Sequence, residues 1–155
     1  MTIDPHVTRS VMQDALDEAR AAATRGEVPV GAVVVDRAGR VVSRAGNRVE
    51  ALRDASAHAE LLALRAAGQA LGSRHLVGCT LIATLEPCAM CAAAASHFRI
   101  DRVLFGAYDP KGGAIEHGPR LYDRAGCLHR PQAVGGIAEG ECASLLRAFF
   151  KARRE

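Results

Sequence analysis

The spacing of apolar residues predicts a helix and then a β-hairpin in the first third of the chain. Apolar residues recur at helical intervals over residues 9–24, which predicts an amphipathic helix that ends at Gly26. Two β-rich runs follow, VPVGAVVVD and VVSRAGN, and the turn at residues 37–40 separates them. This arrangement predicts two antiparallel strands.

After the hairpin, helical and strand patterns alternate. The pattern predicts a helix over about 58–67 with Ser56 as its cap and Gly68 near its end, and then a buried strand in CTLIATL. A helix from Pro87 to His97, a buried strand in RVLFGAY, a loop in DPKGGAIEHGP and a last helix over 139–154 are predicted to follow. Alternation of this kind predicts an α/β fold, a three-layer α/β/α sandwich with a mixed sheet. We expect one domain that spans residues 1–155.

The composition argues against a membrane protein and against a secreted protein. No apolar run approaches the ~18–20 residues of a membrane helix, and MTIDPHVTRS lacks the pattern of a signal peptide. We therefore expect a cytoplasmic protein with no membrane partner. In a reducing compartment, close pairs among its five cysteines favour metal binding or chemistry over disulfides.

The positive charge of the chain is concentrated in its last third. Residues 1–98 hold ten basic and ten acidic side chains, whereas residues 99–155 hold ten basic and seven acidic, so the net charge of +3 lies there. A basic C-terminal segment, RAFFKARRE, is weak evidence for an anionic partner such as RNA. A solvated helix end with cations near its negative dipole explains the segment equally well.

Cys88 and Cys91, in LEPCAMC, stand three apart at a predicted helix start. Side chains at this spacing share one side of the first turn, where free N–H groups and the helix dipole favour thiolates. Zinc binds thiolates, so the pair indicates two ligands of a metal site. A redox pair and simple packing remain alternatives.

His58, in SAHAEL, is the histidine whose context matches that of the cysteines, because it also opens a predicted helix. Helix starts of an α/β sandwich gather where its sites form, so His58 is a candidate third ligand. Three protein ligands leave one position for water, which is typical of catalytic zinc. The alternative is a closed structural site with a fourth ligand from Cys79, Cys127 or His129.

Glu60 supplies the remaining chemistry. It lies two residues after His58, so a regular helix would direct it elsewhere, but at the first turn both side chains can face one cavity. Zinc lowers the pKa of a bound water to about 7, and a nearby carboxylate can pass the proton of that water to a substrate.

These motifs resemble a known family. HAE followed by PCAMC is similar to the H-x-E…P-C-x-x-C signature of the zinc-dependent cytidine deaminase superfamily. Over nearly the whole chain, EVPVGAVVV, Asn47, TLEPCAMCAAA, RVLFGAYDPKGG and ECASLLRAFFKARR resemble the bacterial tRNA adenosine deaminases, which convert wobble adenosine to inosine.

The resemblance implies roles for individual residues. His58, Cys88 and Cys91 bind one zinc ion per subunit, Glu60 shuttles protons, Asn47 contacts the base, Asp109 and Lys111 lie near the RNA, and Lys151, Arg153 and Arg154 meet phosphates. It also implies a cytidine deaminase-like sheet of roughly five strands, a homodimer, and a tRNA anticodon stem-loop as partner. For Asn47, the alternative is a turn residue that tolerates an unusual backbone.

Two segments depart from the family pattern. The family reads D-P-T-A-H-A-E where this chain reads DASAHAE, a change expected to loosen the loop into the site without disabling zinc. Residues 114–127, AIEHGPRLYDRAGC, also differ, which leaves RNA contacts in that stretch open.

The functional prediction is hydrolytic deamination of adenosine to inosine in RNA. One alternative is a deaminase of a free base or nucleoside, such as guanine or cytosine, against which EVPVG and the cationic last helix argue. Another is a zinc-stabilised RNA-binding module without catalysis, against which Glu60 argues, because a structural site needs no proton shuttle.

Overall fold

The computed structural model describes residues 5–154, with side chains from residue 7 onward. The elements in chain order are α1 (Pro5–Thr24), β1 (Gly31–Val35), β2 (Val41–Gly46), α2 (Val49–Leu52), α3 (Ala59–Leu71), β3 (Thr80–Leu85), α4 (Ala89–His97), β4 (Arg102–Ala107), β5 (Gln132–Val134) and α5 (Glu139–Arg154). A short 3-10 turn at Leu121–Asp123 lies between β4 and β5.

One mixed sheet forms the middle layer, with strand order β2-β1-β3-β4-β5. β1 runs antiparallel to both β2 and β3, while β3, β4 and β5 are parallel. The predicted mixed sheet of roughly five strands is therefore confirmed. The parallel arrangement places the carboxyl ends of β3 and β4 side by side.

Alternate residues of the central strands point to opposite faces of this sheet. Val34, Leu81 and Phe105 pack with α3 and α4 on one face. Val33 and Ile82 pack with α1 and α5 on the other. Helices thus cover both faces, which confirms the three-layer sandwich and explains why β1 and β3 are nearly all apolar.

Close approach of α1 to β1 depends on Gly31 in the EVPVG motif. A Cβ atom there would overlap the carbonyl of Ala15 and lie 2.7 Å from the nitrogen of Ala19. α1 also begins at Pro5, earlier than the predicted residue 9, because proline suits the first helical position. Across the described chain, every helix falls short of the length and apolar character needed to span a bilayer.

Three details of the predicted elements are wrong. The helix predicted from Pro87 begins at Ala89 with Cys88 as its N-cap residue, so Pro87 lies before the helix. Ser56 does not cap α3, because its hydroxyl bonds the Asp54 carboxylate at 2.7 Å and the N-cap position is His58. The helix also extends beyond the predicted residue 67 to Leu71, and Gly72 closes it in a left-handed conformation. The three-residue β5 was not located from the pattern, since its side chains alternate between exposed and half-buried.

Candidate metal centre and active site

Two helix N-termini bring the three predicted zinc ligands together. His58 is the N-cap residue of α3, and Cys88 is the N-cap residue of α4. Cys91 lies in the first turn of α4 and is buried. Because α3 and α4 cover the same face of the sheet, residues 30 or more positions apart meet in one place.

The geometry of the three ligand atoms fits tetrahedral zinc. The Sγ atoms of Cys88 and Cys91 lie 3.5 Å and 3.7 Å from Nδ1 of His58, and all three atoms lie within 4.8 Å of one another. Zinc bonds of about 2.3 Å to sulfur and about 2.0 Å to nitrogen, at the tetrahedral angle, place such atoms about 3.5 Å apart. His58, Cys88 and Cys91 can therefore hold one zinc ion.

Within residues 5–154, this group contains three metal-ligating side chains and no fourth. Cys127 and His129 are engaged elsewhere, since the Cys127 thiol contacts Ser96 and His129 Nε2 donates to the carbonyl of Ile100 at 2.7 Å. A three-ligand set of this kind has the composition of a catalytic zinc site.

Hydrogen bonds among the ligands favour a thiolate at Cys88. The bond from the Cys91 thiol is the largest influence, and together with those from His58 and the Cys91 backbone it lowers the pKa of Cys88 to about 4, although burial opposes it. The hydrogen bond between His58 and the Cys88 sulfur raises the pKa of His58. The hydrogen bond between the Cys91 thiol and the Cys88 sulfur raises the pKa of the buried Cys91. A preformed thiolate is the form that zinc binds.

Glu60 lies in the first turn of α3, lines the same cavity as His58 and Cys88, and is only 4% exposed. Burial raises its pKa to about 7, and the nearby charge of Cys88 acts in the same direction. A carboxyl group with a pKa near neutrality can both accept and release a proton under physiological conditions. The structure thus brings Glu60 to the predicted zinc ligands, and its catalytic role stays a prediction.

Asn47 has a structural task at this site. Its side-chain Oδ1 accepts a hydrogen bond of 2.8 Å from the N–H of Ala59, the first residue of α3. This bond fastens the helix that carries His58 and Glu60. The Asn47 amide nitrogen has no hydrogen-bond partner among residues 5–154, and the residue lines the cavity.

The cavity beside these residues has a volume of about 670 Å³, within the range of small-molecule sites. Its apolar wall consists of Val28, Val30, Val49 and Leu85, with Phe149 and Phe150 from α5. Apolar walls with a few polar groups at one end suit a flat, partly polar ring such as a nucleobase.

The predicted phosphate-binding residues lie beside the cavity, but they differ in how they are held. Arg153 donates to the carbonyl of Gly26 at 2.6 Å and stacks over Phe149 at 4.2 Å. Lys151 and Arg154 are exposed and make no such contact within the described chain. An outer groove of about 1040 Å³ is lined by the cations Lys111, Arg147, Lys151, Arg153 and Arg154.

Asp109 and Lys111 lie on the loop after β4, where Asp109 lines both the cavity and the groove and Lys111 lines the groove. The Asp109 carboxylate accepts the backbone N–H groups of Lys111 and Gly112, so it also shapes this loop. The loop therefore brings Asp109 to the cavity and Lys111 to the groove, and the contact of both residues with RNA stays a prediction.

Two buried carboxylates were missed by the sequence analysis. Glu27 is 2% exposed and accepts the N–H groups of Glu50 and Ala51, the second and third residues of α2. Glu86 directly precedes the zinc-ligand segment and is fully buried. A charged residue at the end of a nearly all-apolar strand was the available signal for Glu86, because such a group needs partners when buried.

Comparison with known proteins agrees with this geometry. Residues 5–107 match the family described as the cytidine and deoxycytidylate deaminase zinc-binding region. The chain is 52% identical to the tRNA-specific adenosine deaminase of Agrobacterium fabrum, over 92% of this chain and 93% of that protein. It is 43% identical to the tRNA-specific adenosine deaminase of Bacillus subtilis, over 93% of this chain and 89% of that protein.

A solved structure from a study of A-to-I editing by tRNA:A34 deaminases superposes with a TM-score of 0.85 at 52% identity, over 87% of this chain and 97% of that one. The fold, the zinc-ligand group and these likenesses together show that the chain belongs to the zinc-binding cytidine and deoxycytidylate deaminase family, in the branch of the tRNA-specific adenosine deaminases.

Proposed function

We propose that this protein is a zinc-dependent tRNA deaminase that hydrolyses adenosine to inosine at the wobble position of an anticodon. The observation that carries the proposal is the meeting of His58, Cys88, Cys91 and Glu60 in one cavity, in a chain 52% identical to a tRNA-specific adenosine deaminase. The cations around the outer groove give phosphates of an RNA loop a place to bind.

The residues of the site divide the chemistry among them. Zinc, when bound, supplies an acidified water whose pKa lies near 7. Glu60 accepts a proton from that water as the water oxygen bonds to C6 of the adenine, and it delivers this proton to N1. The proton of the new C6 hydroxyl then passes through Glu60 to the C6 amino group, which leaves as ammonia. The Asn47 amide can donate to the base, and the apolar wall holds the ring after it has left the stacked anticodon loop.

The main rival is deamination of a free base or nucleoside. We expect ammonia and inosine from a stem-loop with adenosine at position 34, and no turnover of free guanine, cytosine or adenosine at equal concentration. Ammonia from a free base with none from RNA would support the rival. No ammonia from any substrate, with zinc bound, would support a non-catalytic RNA-binding module.

Assembly and location belong to the same proposal. The family resemblance supports a homodimer, and a tRNA substrate supports a cytoplasmic location. Light scattering of the zinc-loaded protein checks the first, with twice the chain mass of 16.4 kDa expected. A single chain mass at assay concentration would contradict it.

Two substitutions of Asn47 can separate its structural task from its proposed contact with the base. Asn47→Asp keeps an oxygen for the N–H of Ala59 but loses the amide donor, so we expect near-normal stability and a loss of kcat/KM of about 1–2 kcal/mol. Asn47→Ala removes both and also costs about 1 kcal/mol of stability. Thermal unfolding and steady-state kinetics check this. Normal kinetics in Asn47→Asp would leave the residue with only its structural role.

The basic tail should govern the salt dependence of RNA binding. Replacing Lys151, Arg153 and Arg154 with alanine should weaken binding of the stem-loop, and each lost phosphate contact should lower the slope of log K against log salt by about one. Arg153→Ala alone tests whether its contacts with Gly26 and Phe149 exclude a phosphate contact.

Arg74→Ala is the matched control for the tail. Arg74 is an exposed cation beyond the far end of α3, away from the site. Its loss should leave the salt slope unchanged. Equal slopes for the wild type and the triple variant would refute the account of how RNA is held.

A further inference from the structure

The buried carboxylate of Glu86 forms hydrogen bonds with both ends of the loop that follows β4. The Glu86 side chain is fully buried. Its Oε1 accepts the N–H of Asp109 at 3.0 Å and Nδ1 of His117 at 2.8 Å, and its Oε2 accepts the N–H groups of Ile115, Glu116 and His117 at 3.1, 2.8 and 3.1 Å. Five donors thus converge on one side chain.

Because an ionised carboxylate only accepts, the His117 ring must carry its proton on Nδ1. Burial alone would raise the pKa of Glu86, but the bonds from Asp109, His117 and the neighbouring amides outweigh it and lower that pKa. The His117 ring also contacts the edge of Tyr108, with centroids 6.1 Å apart. The Glu86 carboxylate and the His117 side chain therefore hold both ends of the loop at one point, and we call this pair the anchor.

The loop leaves no space for a side chain at Gly113. A Cβ atom there would lie 2.6 Å from Oε2 of Glu86 and 2.6 Å from the carbonyl oxygen of Asp109. Contacts this short force the carboxylate or the backbone to shift. The close fit between loop and carboxylate thus depends on glycine at this position.

This loop carries the predicted RNA-contacting residues to the cavity entrance. Asp109 lines the cavity and the outer groove, and Lys111 lines the groove. His117 belongs to the stretch of residues 114–127 that departs from the family pattern. The same stretch supports α4, since the N–H of Ala114 donates to Pro87 and the hydroxyl of Tyr122 donates to Ala92.

We propose that Glu86 and His117 are positioning residues that fix the loop of residues 109–117 at the cavity entrance and thereby set how tightly RNA binds. The claim rests on the proposed function, because it assigns the loop to the RNA substrate. Neither side chain takes part in proton transfer. Their loss should act on KM and leave kcat close to that of the wild type.

His117→Ala is the main test, because the residue lies outside the zinc-ligand segment. Loss of a hydrogen bond to a charged acceptor should free the loop and raise KM for the stem-loop on the order of tenfold, with kcat changed less than about twofold. His117→Asn retains an N–H donor near Nδ1 and should restore most of the affinity. His129→Ala removes a half-buried histidine that binds Ile100, away from the cavity, and should leave KM unchanged.

Gly113→Ala provides an independent test of the same anchor. It leaves every donor and acceptor in place but forces the loop away from Glu86. We expect the same rise in KM as in His117→Ala, with zinc content unchanged. A normal KM in both variants would overturn the role in substrate binding.

Hydrogen exchange separates failure of this proposal from failure of the proposed function. The amides of Ile115, Glu116 and His117 should exchange slowly in the wild type and faster in His117→Ala, whatever the substrate. Equal exchange in the two proteins would overturn the anchor itself. A wild type that exchanges slowly but forms no inosine would refute the RNA assignment, and with it the substrate role of the loop, while the anchor stands.

Discussion

Replacing Glu60 with glutamine is expected to lower kcat for RNA deamination by at least about 10²–10⁴-fold while zinc stays bound. Glutamine has nearly the same size and fills the same buried position in the first turn of α3. Glutamine cannot take up and release a proton. The variant would therefore lack a general base for the water and a general acid for the adenine. In the proposed mechanism this one residue serves several proton transfers, so we expect the largest effect of any single substitution here.

Zinc content and single-turnover formation of inosine measure the two halves of this prediction. Glu139→Gln, at an exposed carboxylate in the first turn of α5, is the matched control and should turn over like the wild type. Near-normal turnover in Glu60→Gln would show that another group moves the protons. Loss of zinc in that variant would instead make Glu60 part of the metal site.

Stability should change in the opposite direction to activity. In zinc-depleted protein, burial raises the pKa of Glu60 from an ordinary value of 4.5 to about 7, so the folded state keeps a proton that the unfolded state releases. The buried Glu60 carboxyl group therefore lowers the free energy of unfolding by an amount that grows as the pH rises from about 4.5 to 7. Glu60→Gln should gain stability over the wild type across that interval.

Cys88→Ser or Cys91→Ser is expected to remove zinc and part of the stability together. A serine hydroxyl is not ionised at neutral pH and is a poor zinc ligand, so two ligands remain from the set of three. A ligand present at 1,000 times its dissociation constant stabilises the folded state by about 4.1 kcal/mol. We therefore expect the zinc-dependent part of the melting temperature to vanish in either variant.

Melting of zinc-loaded and zinc-stripped protein, side by side, makes this visible. The wild type should show a clear difference between the two forms, and the serine variants should show none. Cys127→Ser, at a half-buried thiol outside the ligand group, should behave like the wild type. Full zinc occupancy and unchanged melting in Cys88→Ser would overturn the ligand assignment.

The zinc ligands could be predicted because their signals are local. Cys88 and Cys91 share one helix turn, and His58 opens a helix of its own, so short spacings carry the information. The layers of the fold were equally accessible, because short and nearly continuous apolar runs mark strands covered on both faces.

Features that depend on distant partners could not be predicted in the same way. The cap of α3 comes from Asn47, 12 residues before Ala59, whereas Ser56 stood in the expected position and bonds Asp54 instead. Glu86 finds His117 across 31 residues of chain, in a stretch without a recognisable pattern. Such pairs are determined by tertiary packing, which local preferences do not encode.

The basic tail shows a third case, in which charge predicted position but not contact. The sequence pattern does not distinguish between Lys151, Arg153 and Arg154. In the structure, however, it is Arg153 that donates a hydrogen bond to the carbonyl of Gly26 and stacks over Phe149. The turn after α1 creates that difference, because Gly26 lies 127 residues before Arg153 in the sequence and meets it only in the folded chain.

Mapping inosine in a full-length tRNA with adenosine at the first anticodon position tests the central claim most directly. After incubation with the zinc-loaded protein, we expect inosine at that position and at no other adenosine, and none with Glu60→Gln. Unmodified tRNA from a wild type that holds zinc through His58, Cys88 and Cys91 and releases ammonia from guanine or cytosine would contradict the account.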